Sequence, residues 1–129
     1  MKRLILIALV FALIGFAASA TAQTPATNGN KIAWDQAAPT LAIAQSYVYK
    51  YYPDAAAAGV TLAPVTCVGQ ASPAGATTFQ CEAPFPAFVP GAHTLTLTAS
   101  NEAGESVKSA PLSFTFVVIP SAPAALRIK

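Results

Sequence analysis

The chain has 129 residues, 54% of them apolar and only 9% charged, with a formal net charge of +2. That length suits one domain. Lys2 and Arg3 account for the surplus: the other cations (Lys31, Lys50, Lys108, Arg127, Lys129) balance the anions (Asp35, Asp54, Glu82, Glu102, Glu105) five to five, so no footprint for nucleic acid or for an anionic membrane is expected.

Lys2 and Arg3 precede an apolar run from Leu4 to Ala18, and the small residues of "ASATA" follow. A basic start, a short apolar core and a small-x-small site make a secretory signal peptide. The run is shorter than the ~20 residues of a spanning helix, and no cysteine follows the cleavage site to take a lipid. Cleavage after Ala20 or Ala22 fits; residues 1–22 are read as the signal peptide. The product is then secreted, into the periplasm or the extracellular medium, with no membrane span after cleavage.

"QTPATNGN" (23–30) reads as a flexible N-terminal segment and 31–119 as one folded domain. "KIAWDQ" is a short strand with Ile32 and Trp34 on one face. The Ala-rich stretch 36–45, around Pro39, reads as loop. "SYVYKYY" (46–52) alternates, with Tyr47, Tyr49 and Tyr51 on the inward face and Val48, Lys50 and Tyr52 outward. "PDAAAAG" opens on a turn signal. "VTLAPVTC" (60–67) is a strand that Pro64 confines to an edge. Residues 68–77 read as loop and "TFQCEA" (78–83) as strand. In "PFPAFVPG", Phe85 and Phe88 are expected to plug one end of the domain.

His93, Leu95, Leu97 and Ala99 face inward on the next strand, and Thr94, Thr96, Thr98 and Ser100 outward, the pattern of a half-buried antiparallel strand. "NEAG" (101–104) reverses the chain with Gly104 at positive φ. "SVKSAPLSFTFVV" returns with Leu112, Phe114, Phe116 and Val118 on one face. Six strands with a turn every 8–12 residues predict an all-β, two-sheet antiparallel sandwich. The Pro-rich tail, 120–129, lies outside it.

Cys67 and Cys81 are the two cysteines, and an even count in an exported chain reads as a disulfide. It would enclose 13 residues and contribute about 3 kcal/mol in the chain-entropy model. Two cysteines and the single His93 cannot make a four-ligand metal site.

From Trp34 to Val118 the chain resembles a fibronectin type III or related bacterial immunoglobulin-like domain. Trp34 resembles the buried tryptophan of that family's second strand, and "SYVYKYY" its third strand. "FVPGAHTLTLTASNEAGESVKS" is similar to its Pro-Gly corner, sixth strand and Asn-x-x-Gly hairpin. The resemblance implies an immunoglobulin-like sandwich. Three departures stand out: His93 replaces the family's corner tyrosine, no Arg-Gly-Asp occurs, and the first strand is short or missing. The tail resembles the opening of a following type III domain. It reads as part of a longer array, as a linker, or as a strand that adds to the edge of a neighbouring copy.

No catalytic, cofactor-binding or metal-binding residues are expected. His93 on an alternating strand reads as structural, Asp35 and Asp54 are isolated, and no nucleophile sits beside a base. The chain is read as a non-catalytic binding or spacer module whose partner is another protein or a neighbouring domain. The candidate binding loops are 68–77, stapled by the cysteines (Gln70, Ser72, Pro73), and the hairpin (Asn101, Glu102, Glu105). Two alternatives stand beside this: a weakly self-associating structural subunit using its edge strand or tail, and a glycan-binding module with Tyr52 as an outward aromatic surface.

Overall fold

A computed structural model describes residues 23–71 and 77–128. The expected signal peptide, 1–22, and the candidate loop residues Ser72 and Pro73 lie outside the described residues. In chain order the elements are β1 (Thr24–Ala26), β2 (Lys31–Ala37), α1 (Leu41–Ser46), β3 (Val48–Pro53), β4 (Val60–Thr61), β5 (Thr66–Ala71), β6 (Thr77–Pro84), β7 (Gly91–Asn101), β8 (Gly104–Glu105) and β9 (Leu112–Phe116). One sheet runs β1-β9-β7-β3-β4, with β8 on β7; the other runs β2-β6-β5. Every pairing is antiparallel except the parallel β1–β9. The all-β, two-sheet expectation holds.

Alternation builds the core. Ile32 from β2, Tyr49 from β3, Phe79, Cys81 and Ala83 from β6, Leu95 from β7, and Phe114 and Phe116 from β9 are all buried, with Trp34, Tyr47, Tyr51, Leu97 and Ala99 packed against them. Burial of each large apolar side chain contributes about 1.5–3 kcal/mol. Phe85 and Phe88 do close one end: their rings meet Phe114 edge-on at 4.9 and 5.0 Å, a geometry that favours the ring quadrupoles. Cys67 faces Cys81 across the β5–β6 ladder, and the two are disulfide-bonded.

The N-terminal segment is more ordered than a flexible start. Thr24–Ala26 pair with Phe114–Phe116, and Asn30 closes the following turn by accepting the Thr27 N–H at 2.7 Å. A strand does precede β2, but it is only three residues long and belongs to the other sheet.

The Ala-rich stretch is not all loop. Leu41–Ser46 form α1, with Thr40 as N-cap accepting the Ile43 N–H at 3.3 Å. A six-residue helix is marginal alone; tertiary bonds hold this one. The Tyr49 hydroxyl donates to the Ala44 carbonyl at 2.8 Å, and the Gln45 amide donates to the Cys67 carbonyl at 3.2 Å.

The strand expected over 60–67 is two strands in different sheets: β4 ends one and β5 ends the other. Pro64 sits at the switch, and both pieces are edge strands, where a missing N–H costs least. Within the expected loop 68–77, the described residues 68–71 and 77 are ladder, since Cys67 through Ala71 pair with Cys81 back through Thr77.

The return strand after the hairpin is broken. β8 pairs Glu105 with Ser100, and β9 pairs Leu112 with Leu95. Six residues, 106–111, therefore stand opposite four, 96–99. As a result only Phe114 and Phe116 of the expected inward set are buried; Leu112 and Val118 are exposed.

Candidate functional site

The two sheets are unequal, and the inequality makes a cleft. Among the described residues the smaller sheet has three strands, and β2 has a partner only on its β6 side. Facing β2 across the domain, residues 106–111 leave the regular path beside β7. Ser106 and Ser109 make the detour tolerable. Their hydroxyls accept the N–H groups of Ala99 and Leu97 at 3.1 and 3.0 Å. Their own N–H groups donate to the Ala99 and Leu97 carbonyls at 2.9 Å. No β7 amide at these two positions is left unpaired, which a buried backbone demands.

Between β2 and this detour lies a cavity of about 440 Å³, with Ile32 and Trp34 on one wall and Leu95, Leu97, Val107 and Leu112 among the residues of the other. The lining is mainly apolar. On the β2 wall Trp34 packs beside Tyr49, ring centroids 5.0 Å apart. The Trp34 indole N–H is buried and meets no acceptor at standard hydrogen-bond geometry among the described residues; it acts weakly on the neighbouring Tyr49 hydroxyl instead. The Tyr49 hydroxyl, also at the cleft, is pushed up to about 12, first by burial and then by Tyr47. It stays protonated and acts as a fixed donor to Ala44.

On the opposite face of the larger sheet, Glu105 organises a polar cluster. Its carboxylate accepts from the Tyr52 hydroxyl, from Thr98 Oγ1 at 2.6 Å and from Lys50 Nζ at 3.1 Å. These donors, led by Thr98, hold Glu105 down at about 2. Lys108 Nζ stands 4.0 Å from the centre of the Tyr52 ring, a cation–π contact. Tyr52 is thus only 8% exposed and presents no open aromatic face. Its outward position on β3 is as expected; its exposure is not, because Glu105 and Lys108 come from the far side of the hairpin to cover it.

His93 ties the other end of β7. Its Nδ1 lies 2.7 Å from Asp54 Oδ2 and its Nε2 2.8 Å from the Val89 carbonyl. Two acceptors facing two ring nitrogens favour the cation, and hydrogen bonding, first to Asp54, raises the imidazole above its ordinary value. The Thr94 N–H and His93 in turn hold Asp54 below its own. The second Asp54 oxygen accepts the Thr94 N–H at 2.9 Å, so both carboxylate oxygens are spent on the strand end.

Of the sequence-derived loop residues, the described ones are Gln70, Asn101, Glu102 and Glu105. Gln70 is part of the β5 ladder, paired with Thr78. Asn101 shapes the hairpin, its side-chain carbonyl accepting the Ala103 N–H at 2.9 Å, while Glu102 stands exposed at the tip. Gly104 has the expected positive φ, 133°. Asn101 and Glu105 line a second, shallower recess of about 310 Å³ with Gln36 and Tyr47. Ser106, Val107 and Ser109, which shape the main cleft, carry little signal in the sequence; two serines three apart, ahead of Pro111 in a supposed strand, are the trace they leave.

Among the described residues, no group of three or more His, Cys, Asp or Glu is placed to hold a metal ion, and no helix is long and apolar enough to cross a membrane. Set against known proteins, the chain matches no family model, no curated protein and no solved structure.

Proposed function

We propose that the chain is an exported, non-catalytic binding module of immunoglobulin-like fold, which takes an extended segment of another polypeptide along β2 and its cleft. The observation that carries the reading is the cleft itself: a mainly apolar cavity of about 440 Å³, lined by Trp34, beside a strand edge that is unpaired among the described residues. An incoming strand offers main-chain groups to β2 and alternate side chains to the cleft, the combination that β-strand addition uses.

Export is supported by the signal pattern of residues 1–22 and by the Cys67–Cys81 disulfide, since such bonds persist in oxidising compartments. The immunoglobulin-like reading is supported by strand division. Lettering β2, β3, β5, β6, β7 and β9 as B to G puts B, E and D on one sheet and C, F and G on the other, the immunoglobulin arrangement. The A position beside B is empty among the described residues, and the short β1 lies on G in the other sheet instead.

The test is a selection of short random peptides on the exported protein, followed by fluorescence titration of Trp34, the single tryptophan. Selected peptides should shift its emission, and Ala33→Pro on the β2 edge should abolish the shift. A library that yields no peptide acting through Trp34 would end this reading.

A further inference from the structure

We infer that the occupant of the cleft is the C-terminal segment of a second copy: residues 120–129 add as a strand to the free edge of β2 and seat Leu126 and Ile128 beside Trp34. This rests on the reading of β2 and its cleft as the binding face, and it names the partner.

The four sheet edges differ in how they are protected. β1 is three residues long and β4 two, too short to template another chain. The β5 edge is covered by α1, with Gln45 bonded to the Cys67 carbonyl. The β2 edge has seven residues and no cover among the described residues.

Its hydrogen-bonding direction follows from its two ends. The Asn30 carbonyl accepts the Phe85 N–H, and the Ala38 N–H donates to the Thr77 carbonyl. Even-numbered residues therefore face β6. By the alternation of an antiparallel ladder, Lys31, Ala33, Asp35 and Ala37 turn their N–H and C=O groups to the open side.

The tail carries a matching pattern. Residues 117–128 are exposed throughout, with Leu126 at 92% and Ile128 at 102%, so its own copy does not cover it. "LRIK" (126–129) alternates apolar and basic residues, the two-residue period of a half-buried strand. With Leu126 and Ile128 in the cleft, Arg127 falls on the outer face, where β2 exposes Lys31 and Asp35. The charges complement each other overall. Residues 23–119 hold three Lys against five Asp and Glu, 3 − 5 = −2, and the tail holds Arg127 and Lys129, +2.

Such a contact is head-to-tail: each copy offers one tail and one edge. It does not close on itself at two copies, so mass should climb with concentration. The experiment is light scattering of the exported full chain with two variants. Leu126→Asp/Ile128→Asp removes the tail's apolar face at positions that touch nothing in the fold. Ala33→Pro blocks the edge without removing a β2–β6 hydrogen bond, because its N–H points to the open side.

The expected result is concentration-dependent mass for the parent and a loss of about tenfold or more in association for each variant. An equimolar mixture of the two variants should form a dimer and stop there, since one good edge meets one good tail. A parent that stays monomeric at the highest concentration reached, or a tail variant that assembles like the parent, overturns the proposal. The tail variant decides the matter even where Ala33→Pro fails to fold. A monomeric parent whose Trp34 still responds to selected peptides would remove the tail as partner and keep the binding face.

Discussion

The Tyr52 hydroxyl donates to the carboxylate of Glu105, 53 residues further along the chain, and Lys108 Nζ lies over the Tyr52 ring. One carboxylate thus fastens β3, β7 and β8 on the side of the sheet away from the cleft. That bond fixes the start of the 106–111 detour, and with it one wall of the cleft.

Glu105 makes stability depend on acid. Its folded-state value is depressed from 4.5 to about 2, so its contribution is complete above 4.5 and is lost as pH falls through about 2. Thermal midpoints of the parent and of Glu105→Gln should differ most at neutral pH and converge across that window. Parallel curves from neutral pH down to the lowest pH would remove Glu105 from this role.

Gly59 is required by a close approach. A Cβ placed there would lie 2.6 Å from Tyr52 Cζ, and Tyr52 cannot yield while Glu105 and Lys108 hold it. Gly59→Ala should destabilise by about 1–3 kcal/mol, the cost of overpacking, read as a lower denaturation midpoint with an unchanged slope. The loss should shrink in a Tyr52→Phe background, where the ring is free to shift.

The turn after β3 holds two non-glycine residues at positive φ, Asp54 at 46° and Ala55 at 60°. Aspartate tolerates this region; alanine pays about 1–2 kcal/mol in it. Glycine relieves that strain at an entropic cost of about 0.5–1 kcal/mol. Ala55→Gly should therefore stabilise by about 0.5–1 kcal/mol, giving the Asp-Gly pair that such turns favour. Calorimetry measures it directly.

Reducing the Cys67–Cys81 bond, or replacing both residues with serine, should cost about 3 kcal/mol. Both cysteines are buried beside the core, so the double serine variant carries a further polar-burial cost. Urea unfolding with and without reductant separates the two effects.

The parts of the fold set by local period were legible in the sequence. Thr–Leu alternation marked β7, Ile32 and Trp34 marked one face of β2, and the two cysteines marked a disulfide, though not the β5–β6 ladder that carries it. What escaped depends on distant partners. α1 is too short to announce itself and is held by Tyr49 and Gln45. Pro64 signalled an edge but not that the chain changes sheets there. Tyr52 was legible as outward-facing, but nothing near it in sequence shows that Glu105 and Lys108 cover it. The cleft was half visible: the stunted first strand implied an open edge at Trp34, whereas the detour at 106–111 arises from Ser106 and Ser109 standing in for ladder carbonyls.

The most direct measurement is backbone amide exchange at Ala33, Asp35 and Ala37, followed residue by residue in dilute and in concentrated protein. If β2 is a docking edge that the tail of a second copy fills, these three amides exchange freely when dilute and become protected when concentrated, while Ile32, Trp34 and Gln36 are protected in both. Exchange at the three positions that is equally fast at every concentration would contradict the account.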